Sequence, residues 1–162
     1  MKKILFLLAI SSLSFAALAK VPYSATADCR FDYDDFDFCS KQSIAQYKAA
    51  LAKQLPNYDA TKILLNVGSA QAIRYVVIDT EIGVVFPLRD EILGFKDEKG
   101  GLNGQPALIQ FSLKQPQLCI QGSVYAYRDA YDNVKVCYRM EKDAGLKYGQ
   151  AIRRMDIPMS LN

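Results

Sequence analysis

From residue 57 onward the chain is a succession of short β-branched and aromatic runs parted by turn residues, which leaves room for only one substantial helix. The runs fall at 62–67, 72–79, 83–86, 107–113, 118–127 and 133–140. Their Val, Ile, Tyr and Phe content suits a pleated, half-buried surface. Between them stand Gly68-Ser69, Glu81-Ile82-Gly83 and residues 129–133, which are turn chemistry rather than helix. Strands joined this way pair antiparallel, because a parallel pair needs a long crossover connection.

The single helical segment precedes them. Within 40–55, Ile44, Tyr47, Leu51 and Leu55 recur at spacings of three and four, while Lys41, Lys48 and Lys53 fall mostly off that stripe. Ser43 and Gln46 have the spacing of a capping box, and Pro56-Asn57 supplies a stop. The stripe reads as a core face in preference to a docking face for a partner helix. The predicted fold is therefore α+β: one amphipathic helix packed on a curled, mainly antiparallel sheet of four to six strands. The polar, glycine-containing segment 96–105, closed by Pro106, is predicted to be a long mobile loop. It lacks the Gly-Lys-Ser/Thr ending of a phosphate loop. Beyond Gly145, Lys147, Arg153 and Arg154 surround Ile152, Ile157 and Met159, a pattern expected to form a last short helix or strand.

The first nineteen residues have a different character. Lys2 and Lys3, an apolar run at 4–15 and Ala17-Leu18-Ala19 have the three parts of a secretory signal peptide, so 1–19 is expected to be removed and 20–162 to form a single domain. The first cysteine is Cys29, which gives no N-terminal thiol for a lipid anchor. No later apolar run reaches the roughly 20 residues needed to cross a bilayer as a helix, since Asp79 and Glu81 interrupt the best one. The dilysine start and the lack of an Asn-x-Ser/Thr sequon fit a bacterial periplasmic or secreted protein. The formal charge of +3 falls to about +1 without Lys2 and Lys3, too little for a nucleic-acid partner.

In an oxidising compartment the four cysteines are expected to form two disulfides. Cys29 with Cys39 and Cys119 with Cys137 close the most local loops. A zinc site from the same thiols would lack the usual C-x-x-C spacing.

The chain has no histidine, which removes the usual forms of Ser-His-Asp and Cys-His hydrolases and of His-ligated zinc enzymes. Carboxylate chemistry survives that exclusion. Asp79 and Glu81 form the best pair, sharing one strand face if 78–82 is extended; the competing reading is the polar end of a strand entering a hairpin.

Residues 28–39 place five aspartates among four aromatics in or beside one expected disulfide loop. Clustered carboxylates repel unless a cation, a basic partner or water disperses the charge. Asp32, Asp34 and Asp37 could coordinate calcium, although the glycine and glutamate of an EF-hand loop are missing. Alternatively Asp32, Tyr33, Asp34, Asp35, Phe36 and Asp37 form an acidic and aromatic contact surface. In the third reading the rings simply pack on the sheet while the aspartates face water.

A second candidate surface is the hairpin between Cys119 and Cys137. Val134, Val136, Tyr138 and Met140 alternate with Lys135, Cys137 and Arg139, and Tyr125, Tyr127, Arg128 and Tyr131 crowd its tip. Export, small size, two staples, no histidine and two aromatic, charged elements together predict a non-enzymatic protein-binding module without a cofactor. It is best fitted to a periplasmic inhibitor or immunity protein, its loop or hairpin plugging the basic cleft of a cationic cell-wall-attacking enzyme or toxin. The alternatives are a small carbohydrate-active hydrolase using Asp79 and Glu81, and a calcium-dependent structural or adhesive module.

Overall fold

The computed structural model describes residues 20–32, 34–126 and 129–155 and the backbone of 159–160. The expected signal segment, Tyr33, Tyr127 and Arg128 lie outside the described residues. Helix α1 runs over Lys41–Lys53, with Ser40 rather than Ser43 as its cap. Ser40 wins because its hydroxyl accepts the Ser43 amide at 3.1 Å, while the Ser43 hydroxyl donates back to the Asp37 carbonyl at 3.1 Å. At the other end Lys20 Nζ donates to the Ala52 carbonyl at 2.9 Å, placing a cation where the helix dipole favours one. The predicted stripe buries Tyr47 and Leu51, whereas Leu55 falls beyond the helix and is 79% exposed.

Four strands form the first sheet: β1 (Ala25–Thr26), β2 (Lys62–Asn66), β3 (Tyr75–Asp79) and β4 (Val84–Pro87), in the order β1-β4-β3-β2. All contacts are antiparallel except β1 with β4. The second sheet is built on a long hairpin, β7 (Gln115–Ala126) and β8 (Asp129–Lys142). Strands β5 (Glu91–Leu93) and β6 (Leu108–Ser112) pair with successive stretches of β7, and β9 (Gln150–Arg154) and β10 (Met159–Ser160) with successive stretches of β8. The tail is thus strand rather than helix. The 96–105 segment is tied down by hydrogen bonds: the Phe95 and Asn103 amides donate to the Gln105 and Phe95 carbonyls at 2.9 Å each.

The α+β class, the mainly antiparallel pairing, the two disulfides and, among the described residues, the single helix hold, but the strands divide between two stacked sheets in place of one. The reason is visible in β3 and β4, whose residues are apolar on both faces. Ile63, Val76, Ile78 and Val85 face α1, and Leu64, Val77, Val84 and Phe86 face the second sheet. One helix covers only one side of such a sheet, so a second layer must cover the other. The alternation in β7 and β8 supplies it, turning Leu118, Ile120, Val124, Val134, Val136 and Tyr138 inward.

Two local devices keep this arrangement in register. Gly122 sits at a bulge in β7 with φ +153°, where an added Cβ would stand 2.7 Å from the Leu93 carbonyl oxygen, so no larger residue fits. Asn57 closes the free edge of β2, its carboxamide accepting the Leu64 amide at 2.8 Å and donating to the Leu64 carbonyl at 3.2 Å. A strand from another chain cannot add there without displacing it.

Candidate functional site

The aspartate loop is built from its rings inward. Phe38 is fully buried, with Phe36 tilted against it at 4.7 Å and Phe31 edge-on at 5.7 Å. These contacts anchor the loop on the helix side of the first sheet. The Cys29–Cys39 disulfide and the Phe38 amide, donating to the Cys29 carbonyl at 2.8 Å, close its ends.

Two of the aspartates are committed to the scaffold. Asp34 accepts the Phe36 amide at 2.9 Å and pairs with Arg74, whose guanidinium also reaches Glu91 at 2.9 Å and lies over the Phe36 ring. One arginine therefore ties the loop to the second sheet. Asp37 accepts the Cys39 amide at 2.8 Å and Arg30 at 3.1 Å, ordering the approach to α1.

The hydrogen bond from Arg30, and after it that from the Cys39 amide, hold the Asp37 carboxyl below the ordinary 3.8. A lowered folded value means that its contribution is fully present above about pH 4 and is lost as pH falls through that value. Asp37→Asn should therefore remove part of the acid sensitivity of the helix start. The check is Cys39 amide exchange followed against pH; superimposable profiles for the two proteins would remove Asp37 from that role.

Asp28, Asp32 and Asp35 are exposed and have no ion-pair partner among the described residues. Among the described residues no group of three or more acidic, cysteine or histidine side chains is placed to hold a metal ion.

Tyr125, Asp129 and Ala130 of the β7–β8 hairpin share a cleft with this loop. Tyr125 is 44% exposed and carries the Lys96 ammonium 5.1 Å from its ring centre, while Lys96 also pairs with Asp132 at 2.6 Å. Tyr131 is half-buried under the Arg154 guanidinium. The cleft, of about 450 Å³, is lined by Asp28, Asp32 and Asp34 with Arg30, Arg74 and Arg89, and by Glu91, Tyr125 and Asp129. Of the residues singled out on the two predicted surfaces, Asp32, Asp34 and Tyr125 line this cleft, Tyr131 lines a second cavity, and Asp35, Phe36 and Asp37 line neither.

A larger cavity, about 760 Å³, adjoins it and shares Asp28, Phe31 and Arg89 with it. Its inner wall contains a buried polar network: Tyr138 Oη donates to Asp90 at 2.6 Å, and Arg154 Nη2 reaches the same oxygen at 3.0 Å. Burial, and then the Asp90 charge, push the Tyr138 hydroxyl well above the usual tyrosine range, so it remains a donor. Sequence reading overlooked Arg74, Arg89 and Asp90. The available signal was Asp90 itself, a charge close to the apolar stretch 84–88, where a buried acid requires a partner.

The Asp79 and Glu81 side chains do not share an extended face. Strand β3 ends at Asp79, whose carboxylate accepts the Glu81 amide at 2.9 Å and Gln150 Nε2 at 2.9 Å, and Glu81 stands exposed in the turn. Asp79 is a strand-end acceptor here, which is the hairpin reading of that pair.

No protein-family model, curated protein or solved structure matches this chain. Among the described residues no helix is long and apolar enough to cross a membrane.

Proposed function

We propose that this chain is an exported, non-enzymatic protein-binding module that works in the periplasm or outside the cell as an inhibitor or immunity protein. Its partner on this reading is a cationic enzyme or toxin that attacks the cell wall. The observation that carries the proposal is the cleft itself: residues 28–34 and residues 125 and 129, remote in sequence, line it together, and Asp28, Asp32 and Asp129 have no ion-pair partner among the described residues. Five carboxylates against the guanidiniums of Arg30, Arg74 and Arg89 leave the lining net negative, a field that steers a basic segment inward, and Tyr125 offers a large, half-exposed ring as an anchor. Asp34, Phe36 and Asp37 act indirectly, by holding the wall in place. The signal-like N-terminus and the paired cysteines support an oxidising compartment.

The test has two stages. Residues 20–162, with disulfides formed, are used as bait in periplasmic and secreted extracts, and a single stoichiometric, salt-sensitive partner is expected. With that partner in hand, the triple variant Asp28→Lys, Asp32→Lys, Asp129→Lys should slow association by about tenfold or more and flatten its salt dependence. Unchanged association kinetics in the variant would remove the cleft from recognition.

A further inference from the structure

The larger cavity differs in chemistry from the carboxylate-rich cleft beside it. It opens where β4 ends and β9 returns, at one end of the space between the two sheets. Its reachable apolar lining is Leu146, Tyr148 and Ile152, which keep part of their surface open, and Tyr148 stands edge-on at 6.4 Å to Phe86, which is itself only 2% exposed. Its rim is cationic. Arg153 and Arg154 are already matched by Asp143 at 2.7 Å and Asp90 at 3.0 Å. Arg89 and Lys147 are not: both are exposed and have no carboxylate partner among the described residues. What holds them instead are ring faces, Phe31 at 5.1 Å from the Arg89 guanidinium and Tyr148 at 5.0 Å from the Lys147 ammonium. A ring face positions a cation without neutralising it, so both charges remain available.

We propose that this cavity is a binding site for a small amphiphilic anion, a carboxylate carrying an alkyl or aryl body. The carboxylate would sit between Arg89 and Lys147 and the apolar body would lie along Leu146, Tyr148 and Ile152. Each simpler ligand leaves part of the site unused or opposed. A cation is repelled by the rim, and a neutral apolar molecule leaves both charges idle. A bare inorganic anion gains nothing from the apolar lining. Asp28, the one acid of the lining without an ion pair among the described residues, is shared with the neighbouring cleft. The volume, about 760 Å³, falls within the range of small-molecule sites.

The test is titration calorimetry of decanoate into the disulfide-bonded protein, with decan-1-ol as the uncharged analogue and inorganic phosphate as charge without a chain. Decanoate is expected to bind at one saturable site, and decan-1-ol and phosphate at least about tenfold more weakly, the loss expected when a charge-assisted contact or a buried chain is missing. The double variant R89Q/K147Q should weaken decanoate by about tenfold or more while leaving the melting temperature in place, because both side chains are exposed. Failure of decanoate to saturate by about 1 mM, equal binding of decan-1-ol, or an affinity unmoved in the double variant would each overturn the proposal.

Discussion

Asp90→Ala should destabilise the protein by about 3 kcal/mol, which at this chain length corresponds to a melting temperature lower by roughly 10 °C. Asp90 is 5% exposed, and one of its oxygens accepts from both Tyr138 Oη and Arg154 Nη2. Alanine would strand two donors at once. The Tyr138 side chain is 1% exposed, so its hydroxyl would have no water to turn to and would bear a full desolvation cost of about 1–3 kcal/mol. The Arg154 side chain keeps 27% of its exposure, so solvent recovers part of its lost pairing and holds the total at the lower end of the range for a broken buried ion pair. Tyr138→Phe alone should cost about 1 kcal/mol, since it removes a donor while Arg154 still satisfies the acid. The double variant D90A/Y138F should then be more stable than the two single losses added together, because the hydroxyl stranded by the first change is deleted by the second. Guanidinium unfolding of the four proteins decides the matter. A loss below about 1 kcal/mol for Asp90→Ala would mean that solvent reaches this network freely.

How far each feature could be read from sequence depended on whether its cause was local. The α1 stripe, the inward alternation of Val134, Val136 and Tyr138, and the cysteine pairings all arise within short spans, where periodicity or loop length is informative. Helix ends were less secure: Ser40 and Ser43 both offer hydroxyls, and the choice between them turned on the path of residues 37–40. The second layer was implied by Val76-Val77-Ile78 and Val84-Val85-Phe86, runs too apolar on both faces for a sheet covered on one side. Turn signals alone do not say whether successive strands join one sheet or two. The aspartate loop has no repeating backbone, so nothing in its order of residues could tell which way Phe36 points or that Asp34 would meet Arg74, forty positions away. The larger cavity is more remote still, since its lining comes from segments near 28, 88 and 150 that come together only through the stacking of the sheets.

The two disulfides should prove nearly equal in stability and unequal in function. By loop closure, sequence separations of 10 and 18 residues each give about 3 kcal/mol through restriction of the unfolded chain. C119S/C137S removes a staple between strands that remain paired on both sides of it, Leu118 opposite Tyr138 and Ile120 opposite Val136. The folded hairpin therefore persists, and the expected loss is global, about 3 kcal/mol in guanidinium unfolding with partner binding retained. C29S/C39S acts at the wall of the cleft. Besides the disulfide, the loop's ends are joined by the Phe38 amide to the Cys29 carbonyl and by the Arg30–Asp37 pair. In that pair the two side chains are 67% and 34% exposed, too open to water for the contact to substitute for a covalent link. Residues 28–37 should therefore open locally while α1, buried through Tyr47 and Leu51, stays folded. Amide exchange of Phe36 and Phe38 should accelerate relative to that of the helix, and association with the proposed cationic partner should weaken in step, because Asp28 and Asp32 would no longer share a cleft with Tyr125 and Asp129. If those two amides kept their wild-type protection in C29S/C39S, the wall would owe its shape to ring packing and to Arg74. The recognition cleft would then survive in a reducing environment.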